Sequence, residues 1–323
     1  VSVVGALDLP RHQRRIVALG GGHGLSAALT ALRLLTDHVT AIVTVADDGG
    51  SSGRLRDEFH VLPPGDLRMA LVALCDDTEW GHTWRDVLQH RFAGPGALNG
   101  HALGNLMIVA IWELLGDPVD GLDLVGRLLG ARGRVLPMAG EPLEIVAEIR
   151  GHDPDAPDET VVVHGQHRVA SSPGVVASMG IMPTCPKACP EALEAVARAD
   201  WVVLGPGSWF TSVMPHLLVP DLADALVATK ARRLLNLNLE VARGETRDFR
   251  AEDHLASLAA HAPKLRLDAI LADPSVVDDP ETLRAAAAEL GAELVIAPVM
   301  ARGKPGIHDP LRLAAALRDV ISS

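Results

Sequence analysis

The sequence predicts an α/β fold: a parallel sheet with helices on both faces and a small β-rich insertion. Three observations carry this. Short, wholly apolar runs end in glycine and are followed by stretches with helical spacing. Strands that alternate with helices imply parallel pairing with right-handed crossovers. Between Arg134 and His164 the rhythm changes to short strands set among Gly, Pro and Asp clusters, with no long helix between them.

Taken in order, Ile16–Leu19 reads as a strand ending at Gly20, and Leu25–Leu35 as the helix after it. Ala41–Ala46 is the next buried strand, and it runs into a loop from Asp47 to Arg56. Asp66–Cys75, Thr83–Phe92 and Ala102–Leu115 carry helical periodicity. Arg134–Met138, Leu143–Ile149 and Thr160–His164 are the strands expected of a β-rich subdomain around 133–185. Pro190–Arg198 is a helix with proline in its first turn. Trp201–Leu204, Leu234–Leu237, Ala269–Leu271 and Leu294–Ile296 read as further strands. The regions of Asp253, Asp279 and Asp309 each precede a helical run, and Asp309-Pro310 joins an N-cap to a first-turn proline before the last helix, Pro310–Val320. Residues 1–14 are expected to form an N-terminal extension and 15–323 a single domain with its inserted subdomain.

Composition narrows the function. Asp plus Glu outnumber Lys plus Arg 41 to 29, a formal charge of −12, so the chain lacks the basic footprint of a nucleic-acid binder. With 5 Trp, 4 Phe and no Tyr it also lacks an aromatic platform for single strands. No apolar run reaches the ~18–20 residues of a membrane span, and Arg11, Arg14 and Arg15 break the mildly apolar start. No signal peptide and no membrane span are therefore expected, and the location expected is cytoplasmic. Cys75, Cys185 and Cys189 form a sparse, odd set that suits a reducing compartment, and Cys185 and Cys189 find no further soft ligands at metal-site spacing. A homodimer is left open. An acidic chain must hold any phosphate ligand locally, with backbone amides and a few arginines.

Five motifs offer such groups. In Gly20-Gly-Gly-His-Gly-Leu-Ser26, between a strand and a helix, glycine lets a ligand approach the backbone, and the helix start turns free amides toward an anion. Gly21, Gly22, Gly24, Leu25 and Ser26 are the candidates there; no Lys-Ser/Thr follows, so this is not a Walker A loop. In Ala46-Asp-Asp-Gly-Gly-Ser-Ser-Gly-Arg-Leu-Arg56, Asp47 and Asp48 can hold a cation or sugar hydroxyls, Ser51 and Ser52 can donate, and Arg54 and Arg56 can grip phosphate with two bonds each. In Pro63-Pro-Gly-Asp-Leu-Arg68, Asp66 can cap the next helix, while Arg68 opposes the helix dipole and hints at an anionic partner. His101 and Asn105 stand one helical turn apart and can face a ligand together. Gly205, Gly207, Ser208 and Thr211 form a second glycine and hydroxyl turn suited to an anion or pyrophosphate. The basic stretch from Arg302 to Asp309 reads as a solvated loop. The spacing Gly22-x-Gly24-x-x-Ala27, with an acidic residue about twenty positions on, keeps an NAD-dependent oxidoreductase as a third reading.

Jointly these motifs resemble the YvcK/CofD family over nearly the whole chain from about Ile16, and its YvcK-like branch more closely. The resemblance rests on Val45–Arg56, the Pro-Pro-Gly-Asp-Leu-Arg turn and the Gly-Pro-Gly-Ser turn. It implies a Rossmann-like core with an inserted subdomain. CofD relatives are transferases that move a phospholactyl group from a nucleotide diphosphate to a deazaflavin alcohol with a divalent metal. YvcK relatives, the gluconeogenesis factors, bind UDP-sugars, notably UDP-N-acetylglucosamine. They act in carbon metabolism, cell-wall synthesis and cell shape without an established activity. The resemblance makes Asp47 and Asp48 catalytic only if the chain is a transferase; it requires no cofactor for binding and allows magnesium. The chain departs from the family pattern at His23, where Thr is usual. It keeps only the tail of the family's Gln-Pro-Gly-Glu-Thr run, as Ala242-Arg-Gly-Glu-Thr246, and it has no Tyr to supply a contact seen in one branch.

Overall fold

The computed structural model describes residues 13–153, 155–239, 246 and 249–322. The N-terminal extension up to residue 12 and, in the run from Ala242 to Thr246, every residue but Thr246 lie outside the described residues.

The first half begins with β1 (Ile16–Gly20), α1 (Gly22–Leu32) and β2 (Val39–Val43). Five helices follow: α2 (Gly50–Phe59), α3 (Pro64–Leu74), α4 (Glu79–Gln89), α5 (Leu103–Leu115) and α6 (Pro118–Leu129). Next come β3 (Arg134–Pro137), β4 (Glu144–Arg150), β5 (Thr160–His164), α7 (Gln166–Ser171) and β6 (Val175–Met182). The α/β rhythm returns with α8 (Pro190–Arg198), β7 (Trp201–Leu204), α9 (Pro215–Leu218), α10 (Pro220–Ala228) and β8 (Arg232–Asn236). The chain closes with α11 (Ala251–His261), β9 (Ala269–Ala272), α12 (Pro280–Glu289), β10 (Glu293–Ile296) and α13 (Pro310–Ser322).

Seven strands form one parallel sheet in the order β10-β9-β8-β7-β1-β2-β3. Its central strands are buried along their whole length, as their unbroken apolar runs require. Helix α1 buries Leu25, Ala28, Leu29 and Leu32, a single face at helical spacing, and packs on α3 and α13. Each large side chain so buried is worth about 1.5–3 kcal/mol. Strand order runs outward in both directions from the β1–β7 boundary. That boundary is the point where a doubly wound sheet opens a crevice beyond its carboxyl ends.

The insertion is a three-stranded antiparallel sheet, β5-β4-β6, with α7 between two of its strands in sequence. Arg134–Pro137, read with this insertion from its short length, instead pairs with β2 at the edge of the main sheet, where Val135 and Leu136 are buried. The expected loop from Asp47 to Arg56 is also corrected: from Gly50 onward it is helix α2. Gly53 permits this, because a Cβ there would stand 2.1 Å from the Asp48 carbonyl oxygen. The Asp signals at 279 and 309 hold. Asp279 accepts from the Glu281 amide and Asp309 from those of Leu311 and Arg312. Asp253 instead sits inside the first turn of α11 and accepts from the Arg250 amide.

Candidate functional site

The site is built from the two glycine turns at the switch point. After β1, a Cβ at Gly21 would lie 2.5 Å from both Asp66 Oδ2 and Thr44 Cγ2, and Gly22 takes a φ of +56°. At Gly24 a Cβ would come within 2.3 Å of the Pro206 carbonyl oxygen and 2.6 Å of Gly207 Cα. Only glycine allows the turn after β7 to lie directly on the turn after β1. Asn238 braces the second turn as a backbone strand would. Its Oδ1 accepts from the Gly207 amide at 2.8 Å and its Nδ2 donates to the Gly207 carbonyl at 2.6 Å.

Beside these turns lies a cleft of about 530 Å³, walled by His23, Ser26, Ser208, Asn238 and, from across the fold, Ile307 and His308. A second hollow of about 240 Å³ shares Asn238 and Leu239 with it and is lined by Leu237, Phe249, His254 and Ser275. The stretch read as a solvated loop therefore forms a wall. Among the described residues its His308 Nε2 is buried without a partner, and burial pushes the imidazole pKa down to about 4. A groove of about 400 Å³ at the opposite, amino end of the strands has its arginines already paired, Arg15 with Asp200, Arg134 with Asp123 and Arg198 with Glu194. It lies away from the carboxyl ends, where ligands of such sheets bind.

The family model described as 2-phospho-L-lactate transferase CofD matches residues 16–301. The chain belongs to the CofD family. A Mycobacterium tuberculosis relative is 54% identical over 308 residues, covering 94% of this chain and 90% of the relative. A Listeria monocytogenes protein named Gluconeogenesis factor is 38% identical over 263 residues, 81% of this chain and 78% of that one. A Bacillus halodurans crystal structure superposes with a TM-score of 0.83 at 31% identity, covering 97% of this chain and all of that one (100%). The motifs that suggested the family from sequence are those that meet in this CofD fold.

On the β2 side of the turns, Asp66 is not the helix cap that its sequence suggested. Pro63 holds that position, and the Asp66 carboxylate turns back to the Gly21–Gly22 backbone. Burial, and then the charge of Asp47, push its pKa up to about 7 against the Gly22 amide and Arg68. Asp47 Oδ2 also meets Gly65, whose missing Cβ would stand 3.1 Å from it, and Ser52 Oγ accepts from the Gly65 amide at 2.9 Å. Asp47 and Asp66 thus form the carboxylate pair of the site. Among the described residues no cluster of three or more His, Cys, Asp or Glu can hold a metal. A divalent cation on this pair would complete its shell with ligand oxygens and water.

Asp48 points elsewhere. Its Oδ1 accepts from the His167 amide of α7 at 2.9 Å, and Gly165 is glycine because a Cβ would meet Asp48 Oδ2 at 2.2 Å. Gln166 Nε2 donates to the Thr211 carbonyl at 3.1 Å, so α7 bridges the loops after β2 and β7. His101 and Asn105 do converge, but on Ser51: His101 Nδ1 lies 3.0 Å from Ser51 Oγ, and Asn105 Nδ2 donates to the same oxygen at 3.0 Å. Burial and the nearby Arg54 charge lower the His101 pKa. Arg54 spends its guanidinium on the Ala97 and Asn99 carbonyls and Arg56 donates to that of Leu143, so neither is a free phosphate fork. Leu25 is a core residue whose amide donates to Gly21, and Thr211 is buried. Gly24, Ser26, Gly207 and Ser208 line the cleft, while Gly21, Gly22 and Gly205 shape its turns. Asn238, Leu239 and His308 were missed from sequence. Asn238 had a faint signal as a polar residue just beyond a strand tip.

Proposed function

We propose that the chain is a regulatory protein that binds a UDP-sugar, UDP-N-acetylglucosamine in the first instance, and links carbon metabolism to cell-wall synthesis and cell shape. One observation carries the ligand reading: two glycine turns touch at the switch point and flank a cleft that runs into a second hollow at Asn238. Backbone amides at the turns suit a pyrophosphate, and the Phe249 hollow suits a base with its ribose. The Asp47–Asp66 side suits sugar hydroxyls. The link to carbon metabolism draws on the Gluconeogenesis factor name of the Listeria relative. The test is a thermal-shift panel with UDP-N-acetylglucosamine, UDP-glucose, GTP, NAD and a deazaflavin, with and without magnesium, followed by analysis for turnover. Stabilisation by UDP-sugars without product is expected, growing as RT ln(1 + [L]/Kd). A flat response to every UDP-sugar at millimolar concentration would overturn it.

A second reading, the CofD-type transferase, is favoured by the Asp47–Asp66 pair. A buried carboxyl that titrates near neutrality is suited to take a proton from an acceptor hydroxyl. Product from a nucleotide-activated phospholactate and a deazaflavin alcohol, lost in Asp66→Asn, would establish it in place of the first.

A further inference from the structure

Among the described residues Arg68 is a buried cation with no carboxylate in ion-pair contact. It is 5% exposed. Its Nε donates to Asn105 Oδ1 at 2.8 Å. Among the described residues its remaining guanidinium nitrogens make no hydrogen bond, and no carboxylate lies within ion-pair reach. Taking an unpaired charge out of water is costly. Its acidic neighbour in the same turn, Asp66, turns to the Gly21–Gly22 backbone and acts on Arg68 only from beyond ion-pair distance.

The surroundings add positive charge and fix the fork. Arg91 lies close enough to depress the Arg68 pKa further, after burial itself. Arg54 and Arg91 both donate to carbonyls of the 97–100 loop, and neither has a salt-bridge partner among the described residues. Two guanidiniums thus gather on that loop, and the charge of one of them, Arg91, reaches Arg68, in a chain of net charge −12. The sequence also makes room for the buried one. Gly104 stands in the first turn of α5, where a Cβ would meet Arg68 Cδ at 2.7 Å. Glycine there is unfavourable relative to alanine in a helix. Asn105, held in turn by Ser51, locks the plane of the guanidinium through Nε and leaves its outer nitrogens for a guest.

We propose that Arg68, oriented by Asn105 and backed by Arg91 and, farther out on the 97–100 loop, by Arg54, is a second anion subsite that takes a carboxylate or phosphate group distinct from the pyrophosphate at the glycine turns. It deepens the nucleotide-sugar reading, which supplies the first anion site, while its own geometry stands apart from that reading. Two sources fit the chemistry: an acidic group on the sugar of the nucleotide, or a separate small anion that binds beside a neutral sugar.

The experiment is isothermal titration of the full chain with UDP-glucose, UDP-glucuronate, inorganic phosphate, and UDP-glucose in the presence of phosphate. It is run on the parent, on Arg68→Met, and on the double variant Arg54→Gln/Arg91→Gln, which changes exposed side chains only. An acidic-sugar source gives at least tenfold tighter binding of UDP-glucuronate than of UDP-glucose. A separate anion gives phosphate binding that persists with UDP-glucose bound. In either case the preference falls toward one, or the phosphate signal vanishes, in Arg68→Met, and it weakens at least threefold in the double variant. Should Arg68→Met fail to fold by circular dichroism, the double variant decides. Parent protein that neither prefers UDP-glucuronate nor binds phosphate overturns the subsite, as does a preference that survives both variants. Phosphate binding lost in Arg68→Met, with no UDP-sugar bound by the parent, upholds the subsite and removes the nucleotide reading alone.

Discussion

Replacing Asp66 by asparagine tests the electrostatic core of the site. The carboxyl is raised from 3.8 to about 7, first by burial and then by Asp47. A folded state that holds a proton which the unfolded chain has released loses stability as pH rises between those values. The contribution is complete below about pH 4 and gone above about pH 7. At roughly 1.36 kcal/mol per pKa unit the total is about 4 kcal/mol, and about 2.5 kcal/mol of it falls between pH 5 and pH 8. Asparagine keeps the shape and an acceptor for the Gly22 amide but cannot titrate. The stability gap between Asp66→Asn and the parent should therefore widen in the variant's favour by about 2.5 kcal/mol from pH 5 to pH 8. For a chain of this length that is roughly 4 °C in Tm. The difference must be used, because two histidines work in the opposite sense. His216 and His308, each pushed down to about 4 by burial, lose stability as pH falls from 6.5 toward 4. Urea unfolding followed by circular dichroism at pH 5, 6, 7 and 8 supplies the numbers. A gap that stays constant across that range, or narrows, would refute the assignment of a buried, late-titrating carboxyl.

Other substitutions probe how the site is assembled. Gly24→Ala drives a methyl into the Pro206 carbonyl, so it should cost about 1–3 kcal/mol and abolish the ligand-induced Tm shift; an unchanged shift in a folded variant would show that the turns need not touch. Asn238→Ala strands the Gly207 amide and carbonyl and should cost about 1–3 kcal/mol in urea unfolding. Asp48→Ala removes the acceptor for the first turn of α7, so hydrogen exchange across 166–171 should quicken by the equivalent of about 0.5–2 kcal/mol while the β1 amides keep their protection.

Much of the fold was legible because burial writes itself into composition. Ile16–Gly20 and Trp201–Leu204 are wholly apolar since parallel strands are covered on both faces. Helix α6 went unread although Asp117-Pro118 carries the same signal as Asp309-Pro310, and Asp117 does accept from the Val119 and Asp120 amides. The two glycine turns were legible as binding turns, but not their contact, which joins Gly24 to Pro206 across the sheet. The role of Asp48 could not be read at all. Its partner His167 lies 119 residues away in a six-residue helix with no periodicity to announce it. Asp66 misled for a physical reason: a carboxylate near a helix start has two uses, and only the packing of Gly21 chooses between them.

The fastening of α7 has a mechanical consequence. One end is tied to the acidic loop after β2 and the neighbouring residue to the turn after β7, so the short helix straddles the two rims of the crevice. A guest that spread or drew in those rims would pull on the helix at both fastenings, and through it on the antiparallel leaf to which it is covalently joined. Strand β5 forms the outer border of that leaf, with one flank unpaired. The crevice and that outer border are thus linked through one short helix fastened at two points.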